Sequence, residues 1–295
     1  MTTILCGAGR SIFTKICTKE KSLYDKTKIN SIIFLFGFFT VLCIGSTSLE
    51  TIFQVPWWLT VVYAVCMVLA QVFLMLAFEL GPVSISSLIY NSSFIIATIF
   101  GCVYYQEKIS FLHIIGILLI LSSFALSIKS EDKQGGIRWF CMSLLGFCFG
   151  GSMGIWQKIL RVEYPSVKLD NFMQVSFLMM FAFSIVIVLI SRLFVKRQSG
   201  IGIITQPNTK TIQWKTFGCV VAIGAIMGLM NKINTFLVGV LPSIVVFPAI
   251  NGGGIVATSL LSIIIFKEKT TIRQKLALVI GIVGIVTVAL GSLFV

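Results

Sequence analysis

The sequence predicts an all-α integral membrane protein of about ten transmembrane helices, arranged as two inverted five-helix repeats with a short first helix. Three observations predict this class: the composition, the length of the apolar segments and an internal repetition. The 295 residues have a mean hydropathy of +1.01, with 57% hydrophobic and only 11% charged residues. A chain of this composition is too apolar for an ordinary soluble domain, so we expect it to fold inside the lipid bilayer.

The apolar segments define the individual helices. A helix needs about 20 apolar residues to cross the hydrocarbon core. Nine segments meet this requirement: 30–46, 57–79, 83–105, 110–128, 137–160, 172–195, 215–239, 242–266 and 273–294. Their apolar runs are continuous rather than alternating, which favours helices over a β-barrel. Residues 1–17 are predicted to form the short first span, because their end resembles the end of the span 137–160.

The internal repetition divides the chain into two parts, 1–130 and 137–295. The first copy contains Pro82, Asn91, Ile95, Ala97, Thr98, Glu107 and Lys108, and the second contains Pro242, Asn251, Ile255, Ala257, Thr258, Glu268 and Lys269. With an odd number of spans in each copy, the second copy enters the membrane upside down relative to the first. Inverted repeats of this kind are typical of secondary transporters and place a binding site between the halves.

The formal net charge of +13 does not indicate nucleic-acid binding, because the basic residues lie at the ends of the spans. Most of them fall in the odd-numbered loops, whereas the even-numbered loops hold Lys108, Arg161 and Lys168. The positive-inside rule places the odd-numbered loops in the cytoplasm. The sequence therefore predicts a multi-pass protein of the cell membrane (plasma or inner membrane), with the lipid bilayer and no nucleic acid as a partner.

The sequence predicts no metal site and no cofactor. Its eight cysteines are scattered, without a C-x-x-C pair, and are interpreted as small packing residues. The single histidine, His113, lies at the start of a span without a second metal ligand and is expected at the membrane interface. The chain also lacks the G-x-x-x-x-G-K-S/T loop that binds nucleotide phosphates.

Polar residues inside the spans are candidates for function, since each of them needs a partner or a role in lipid. Asn91 and Asn251 occupy the same place in the two copies, and Gly252-Gly253-Gly254 follow the second. Three consecutive glycines weaken a helix by about 1 kcal/mol each relative to alanine. They indicate either a break in the span that faces the solute or close packing with another helix, and the sequence leaves both open.

A second polar group lies in the span 215–239, which carries Asn231, Lys232 and Asn234, while its counterpart in the first copy carries Gln71. A lysine at this depth is expected to pair with a carboxylate or to face a water-filled cavity, where it could hold an anionic group of the solute. The alternative is a lysine whose side chain extends to the nearer membrane surface.

Several residues near the span ends are interpreted as structural. Glu107-Lys108 and Glu268-Lys269 are expected to cap the helix that follows each pair. Glycines that indicate close helix packing lie in the last span of each copy: Gly116, Gly281, Gly284 and Gly291. Such packing suits either a seam within the chain or the face of a homodimer.

Aromatic residues at the span ends are typical of the membrane interface. Trp57, Trp58 and Trp139 are assigned to this aromatic belt. Trp156 and Lys158 at the end of the span 137–160 are interpreted in the same way, with a place at the mouth of a cavity as the alternative.

Three features recur in the same order in both halves. The first copy has Gly81-Pro82, Glu107-Lys108 and then Gly116, and the second has Pro242, Glu268-Lys269 and a glycine-rich final span. This order and its duplication resemble the drug/metabolite transporter superfamily, in its EamA-like form of two five-span repeats. The likeness covers essentially the whole chain, although Ala277 stands where the first copy has Gly116.

The resemblance implies a carrier that exports or exchanges small metabolites by alternating access. It also implies a cavity lined by the first, third and fourth spans of each repeat. The candidate binding residues of this sequence, with Trp156 at the cavity mouth, are Gln71, Tyr90, Asn91, Trp156, Asn231, Lys232, Asn234, Asn251, Gly252 and Gly253.

The sequence therefore predicts a multi-pass secondary transporter for a small metabolite or drug, and not an enzyme. A non-transporting scaffold or accessory subunit is the alternative, but such a bundle need not bury Asn91, Asn251 or Lys232. A lipid-modifying membrane enzyme is disfavoured, because acid–base work needs clustered His, Asp or Glu residues. The chain has one histidine and ten acidic residues, which lie mostly in loops.

Overall fold

The computed structural model describes residues 23–45, 54–80, 86, 89–127, 136–199, 214–266 and 272–291. Within these ranges the chain forms helices and no strand. The helices are α1 Leu23–Ile44, α2 Trp57–Leu80, α3 Phe94–Tyr104, α4 Phe111–Ser127, α5 Ile137–Glu163, α6 Leu169–Ser199, α7 Trp214–Val240, α8 Ser243–Phe266 and α9 Ile272–Gly291. The predicted first span, 1–17, and the predicted pair Glu268-Lys269 lie outside the described residues.

The predicted all-α membrane fold is confirmed in its class. Among the described residues, five helices are long and apolar enough to cross a membrane, namely α1, α2, α5, α6 and α7. Shorter apolar helical stretches of 10–17 residues lie in 89–104 and in α4, α8 and α9. The number of ten spans stays a prediction.

The helices belong to two compact units. The first unit consists of Met1–Ala8, Leu69–Ser166 and Ile233–Val295, and the second of Gly9–Val68 and Val167–Lys232. Each unit therefore takes helices from both halves of the sequence, and α2 and α7 contribute to both. The repeat boundaries 1–130 and 137–295 describe the sequence copies and stay a prediction.

In the first unit, the last helices of the two copies, α4 and α9, pack against each other in opposite directions. His113 near the start of α4 lies against Gly291 at the end of α9. Near the end of α4, the hydroxyl of Ser123 donates a hydrogen bond to the carbonyl of Ala277 (2.6 Å), near the start of α9. Residue numbers thus rise along α4 as they fall along α9, which makes the pair antiparallel.

Glycines bring the backbones of α4 and α9 into direct contact. A methyl group at Gly116 would lie 2.8 Å from both the carbonyl oxygen of Gly284 and the backbone nitrogen of Val288. A methyl group at Gly284 would in turn lie 3.0 Å from the carbonyl oxygen of Gly116. Of the two alternatives for these glycines, the seam within the chain is therefore the one observed. A homodimer stays a prediction.

The helices α3 and α8, which also correspond in the two copies, run antiparallel as well. Gly101 of α3 lies against Ser243 at the start of α8. One turn earlier in α3, Ala97 shares a buried core with Phe247, one turn later in α8. This core holds the first unit together and continues to Ile120 of α4.

In the second unit, α1 and α6 are the corresponding pair. Gly37 of α1 lies against the ring of Phe177, and Gly45, just after α1, lies against the side chain of Asp170 in the first turn of α6. This pair is antiparallel too. In each unit, helices that correspond in the two sequence copies therefore run in opposite directions.

Two side chains that were expected at the membrane interface are buried. Trp139 is 8% exposed, and its indole N–H donates to the hydroxyl of Ser86 (2.7 Å), so its assignment to the aromatic belt is wrong. His113 is only 1% exposed. The buried indole has a hydrogen-bond partner, as a polar group away from water requires. Trp57 and Trp58 are exposed, as an interface position demands.

Candidate functional site

The first unit is organised along one face of α5, where Gly146, Gly150 and Gly154 are spaced four residues apart. Residues at this spacing lie on the same side of a helix. A methyl group at Gly150 would lie 3.0 Å from the ring of Tyr90 and 3.2 Å from the hydroxyl of Ser93. The missing side chains therefore let the segment that begins at Tyr90 approach the backbone of α5.

The helix that contains Asn91 is interrupted next to this glycine face. Residues 89–91 are helical, Ser92 and Ser93 form a turn, and α3 begins at Phe94. The backbone N–H of Ser93 donates to the carbonyl of Tyr90 (3.1 Å), three residues earlier, instead of four. A methyl group at Gly151 would lie 2.6 Å from the carbonyl oxygen of Ser93, so a glycine in α5 accommodates the turn.

The corresponding helix of the second copy is continuous. Residues Asn251 to Gly254 are helical, and the Asn251 side chain donates to the carbonyl of Phe247 (2.9 Å) one turn earlier. Gly252 is buried, and a methyl group there would lie 3.3 Å from the side chain of Ile120. Of the two alternatives left open for the glycine run, a break is therefore not observed, and Gly252 shows the close packing. Apolar neighbours offer the backbone no other hydrogen-bond partner, which keeps the helix intact.

The glycine face of α5 continues, four residues after Gly154, to a buried ion pair. The ammonium of Lys158 lies 2.7 Å from a carboxylate oxygen of Glu107, and both side chains are about a tenth exposed (11% and 10%). Lys158 also donates to the carbonyl of Val238 (3.3 Å) in the last turn of α7. Its interpretation as an interface anchor is therefore wrong, because a buried cation here has a carboxylate and a helix C-terminus as partners.

Glu107 uses its other contacts to cap α8. Its carboxylate accepts hydrogen bonds from the backbone N–H groups of Ser243 (2.8 Å) and Ile244 (3.4 Å) and from the Ser243 hydroxyl (3.1 Å). A carboxylate at this position satisfies backbone donors and complements the positive end of the helix dipole. The sequence predicted a cap on the next helix along the chain, α4. The function is right, but the capped helix is a different one.

The start of α4 is capped by its own residues. The backbone N–H of Ser110 donates to Nδ1 of His113 (3.0 Å), and the N–H of Leu112 contacts the Ser110 hydroxyl (3.4 Å). This arrangement is a capping box in which histidine stands where glutamate usually does. Glu107 is thereby available for α8.

The loop that presents Glu107 is shaped by two residues that precede it, Gln106 and Gly101. Gln106 has a φ of 52°, which is uncommon for a residue with a side chain, and its amide donates to the carbonyl of Val103 (2.7 Å). A methyl group at Gly101 would lie 2.8 Å from the Glu107 carboxylate and 2.6 Å from the Ser243 Cβ. Glycine is therefore required at this position for the carboxylate to reach α8.

The second unit contains an ion pair built in a similar way. Lys232 lies 2.5 Å from a carboxylate oxygen of Asp170, in the first turn of α6, and 3.5 Å from the carbonyl oxygen of Ile44, at the end of α1. Both side chains are about one-fifth exposed (21% and 19%). Of the alternatives for Lys232, pairing with a carboxylate is the one observed.

The residue before Lys232 joins α7 to α2 within the second unit. The side-chain oxygen of Asn231 accepts a hydrogen bond from the hydroxyl of Tyr63 (2.9 Å), and its amide donates to the carbonyl of Met227 (2.9 Å). Tyr63 is fully buried and its ring packs on Phe172 of α6 (centroids 5.5 Å apart). These bonds satisfy the buried amide and fix the orientation of α7 in this unit.

The candidate binding residues from the sequence are divided between the units. The second unit contains Asn231 and Lys232, and the first contains Gln71, Tyr90, Asn91, Trp156, Asn234, Asn251, Gly252 and Gly253. Among the buried polar atoms without a hydrogen-bond partner in the described part of the chain are Nε2 of Gln71 and Oδ1 of Asn234. Binding of a solute by these ten residues stays a prediction.

Two acidic residues with central positions were not identified as partners from the sequence. Asp170 appears in the sequence as one polar residue near a span start, and Glu107 as a cap for its own neighbour. An acid in the first turn of a helix is favoured by the helix dipole alone and does not indicate a basic partner. Which lysine provides that partner depends on tertiary packing between distant parts of the chain.

Five helices long and apolar enough to cross a bilayer are typical of an integral membrane protein. Residues 1–129 match the EamA-like transporter family, the same family that the repeated motifs resemble. A solved crystal structure, described only as that of a protein, superposes with a TM-score of 0.76 at 14% identity, covering 98% of this chain and 94% of that chain. At this identity the likeness concerns the fold alone. No curated protein sequence matches the chain.

Proposed function

We propose that the protein is a multi-pass secondary transporter that moves a small metabolite by alternating access between two inverted five-helix repeats. The protein lies in the cell membrane, with the basic odd-numbered loops in the cytoplasm. It exports its solute or exchanges it for another. The EamA-like match over residues 1–129 supports the transporter class.

The observation that carries this proposal is the opposite direction of corresponding helices. Within the first unit α3 pairs with α8 and α4 with α9, and within the second unit α1 pairs with α6, each time antiparallel. A duplicated bundle inserted in two orientations gives two nearly equivalent arrangements, open to opposite sides of the membrane. Exchange between such arrangements is how inverted-repeat carriers work.

The buried ion pairs favour a carrier over a passive scaffold. Desolvating two charges costs free energy that an apolar pair of the same volume would not cost, so a purely structural bundle gains little from them. In the first unit the pair of Glu107 and Lys158 ties the end of α7 to the start of α8. In a carrier, such pairs keep helix ends together while the helices change their inclination.

Counterflow in proteoliposomes tests the proposal without knowledge of the coupling ion. Vesicles containing the purified protein are loaded with an unlabelled solute and diluted into a trace of the same labelled solute. Panels of sugars, amino acids, nucleotides and organic cations are compared. A carrier accumulates label transiently in loaded vesicles only, and we expect this for at least one solute. Vesicles without protein and vesicles with heat-denatured protein provide the controls.

A pair of variants separates the carrier from the scaffold. Lys232→Met leaves the Asp170 carboxylate without its cation, whereas Asp170→Asn combined with Lys232→Met removes both charges. A scaffold tolerates the double variant, and a carrier that needs this pair loses counterflow in both variants. Lys275→Met, at an exposed position of α9, serves as the matched control. Absence of counterflow for every solute with folded wild-type protein would contradict the proposal.

A further inference from the structure

We infer that Arg161 binds an anionic oxygen group, a carboxylate or a phosphate, at the end of the glycine face of α5. A soluble molecule and a phospholipid headgroup both carry such a group, and experiment distinguishes these two sources. The inference concerns binding and goes beyond the proposed transport function, since it holds whether or not the bound molecule is carried across the membrane.

The position of Arg161 is determined by the packing of α5 on the end of α7. Arg161 follows Lys158 by three residues, so it continues the side of α5 that begins with the glycines. A methyl group at Gly239, in the last turn of α7, would lie 2.5 Å from Nε of Arg161 and 3.1 Å from its Cβ. The glycine therefore makes room for the arginine side chain against the backbone of α7.

The guanidinium of Arg161 has an unused donor in this position. Its Nε is buried and donates to no acceptor among the described residues, and Arg161 forms no ion pair with a described carboxylate. The residue as a whole is partly exposed, so a molecule from outside the unit can reach it. A buried donor without an acceptor costs free energy, and an oxygen atom of a bound group recovers it.

The nearby carboxylates already have partners. The carboxylate of Glu107 lies 2.7 Å from the ammonium of Lys158 and accepts backbone hydrogen bonds from the start of α8. Glu163, two residues after Arg161, accepts a hydrogen bond from the hydroxyl of Tyr105 (3.0 Å). Of the two cations on this side of α5, Lys158 is thus neutralised and Arg161 is not, which leaves one positive charge for a ligand.

The end of α7 does not supply the missing partner. A cation near a helix C-terminus complements the helix dipole, and Lys158 already does so by donating to the carbonyl of Val238 (3.3 Å). The dipole favours the charge of Arg161 as well, but Nε still has no acceptor. A guanidinium is always charged and presents its N–H groups in a planar fork, which matches the paired oxygens of a carboxylate or a phosphate. Such a group would satisfy both the charge and the donor.

Thermal unfolding in an uncharged detergent tests binding of a soluble anion. The purified protein is titrated with glycerol 3-phosphate or with succinate, against sodium chloride at equal ionic strength, and with glycerol as the uncharged counterpart. A ligand that binds the folded state raises the melting temperature with its concentration, and this dependence gives the Kd. A soluble source predicts a rise with at least one of the two anions and none with the same concentration of glycerol.

Nanodiscs test a phospholipid headgroup as the source. Melting temperatures are compared in phosphatidylcholine alone and in equal parts of phosphatidylcholine and phosphatidylglycerol, whose phosphate has no balancing cation. A headgroup source predicts a higher melting temperature in the mixed lipid. The protein carries a formal net charge of +13, so other basic residues contribute to such a rise. Only the part of the rise that depends on Arg161 therefore supports the inference.

Variants of Arg161 decide the inference in both arms. In Arg161→Gln we expect the Kd of the soluble anion to rise about tenfold or more, or the gain in phosphatidylglycerol to shrink, because a charge-assisted contact is lost. Arg161→Lys keeps the charge without the fork and should show a smaller loss. It decides by the same comparison if Arg161→Gln does not fold.

The matched control is Arg138→Gln, which changes an exposed arginine in the first turn of the same helix. We expect this variant to respond to both anions and to phosphatidylglycerol as the wild type does. A loss confined to the Arg161 variants in the detergent arm assigns the group to a soluble molecule, and in the nanodisc arm to a headgroup. If neither arm distinguishes the Arg161 variants from Arg138→Gln, the inference is overturned.

Discussion

We expect the Glu107→Ala protein to be about 3–5 kcal/mol less stable than the wild type, which is the usual cost of breaking a buried ion pair on one side. Two groups lose their partner at once. Lys158 keeps its charge without the carboxylate at 2.7 Å, and the backbone N–H groups that start α8 lose their acceptor. Melting temperatures of the purified proteins in one detergent measure the effect.

The partner variants show whether the pair or the cap matters more. Lys158→Met should be less damaging than Glu107→Ala, because the remaining carboxylate still accepts the hydrogen bonds of Ser243 and Ile244. The double variant Glu107→Gln with Lys158→Met should recover most of the loss, since no unpaired charge is left. Lys108→Met changes an exposed neighbour and should have no effect. If the single variants of the pair had the same melting temperature as the Lys108→Met control, this account of the contact would be refuted.

The second large effect concerns the contact between α4 and α9. We expect Gly116→Ala to destabilise the protein by about 1–3 kcal/mol, the range for adding a methyl group where no space exists. The new methyl would lie 2.8 Å from backbone atoms of Gly284 and Val288, which cannot rotate away as a side chain can. The two helices would have to separate along the whole seam.

Gly218 of α7 provides the matched comparison for the same substitution. Apart from the backbone of α7 itself, no atom of the described residues lies within 4 Å of a methyl group at Gly218, so the alanine meets open space. Alanine favours a helix over glycine by about 0.5–1 kcal/mol, and Gly218→Ala should therefore raise the melting temperature slightly. The two substitutions are chemically identical and are expected to have opposite signs. Equal effects of both would show that the seam is not a backbone contact.

The sequence predicted the helical class and the opposite direction of the two copies for clear physical reasons. Lipid requires continuous apolar stretches of a fixed length, and these can be counted in the sequence. An odd number of spans in a duplicated unit then determines the relative direction of the copies. The glycines of α4 and α9 were also recognisable, because small residues at helical spacing have few uses other than close packing.

The partners of the charged residues could not be predicted in the same way. Glu107 precedes α4 by a few residues, and only the tertiary structure shows that it caps α8 and binds Lys158. Likewise, the choice of Asp170 as the partner of Lys232 depends on how α6 and α7 pack. The distance between two residues along the sequence does not determine such contacts.

Local propensity also failed where packing overrides it. Three glycines in a row predict a weak helix, but the packing of Gly252 against Ile120 holds that helix together. The turn occurs instead at Ser92–Ser93, where Gly150 and Gly151 of α5 leave room for it. The residue types alone left a break at the glycine run open, and they could not show that the space for a turn is provided by a neighbouring helix.

The inverted arrangement can be measured directly with two single cysteines in a cysteine-free background. Lys108 precedes α4 and Arg273 lies at the start of α9, and both are exposed. Both positions adjoin the connection between the fourth and the fifth predicted span of their copy. A membrane-impermeant thiol reagent applied to right-side-out and inside-out vesicles should label Lys108→Cys and Arg273→Cys from opposite sides of the membrane. Labelling of both from the same side would contradict the inverted duplication on which the proposed transport function depends.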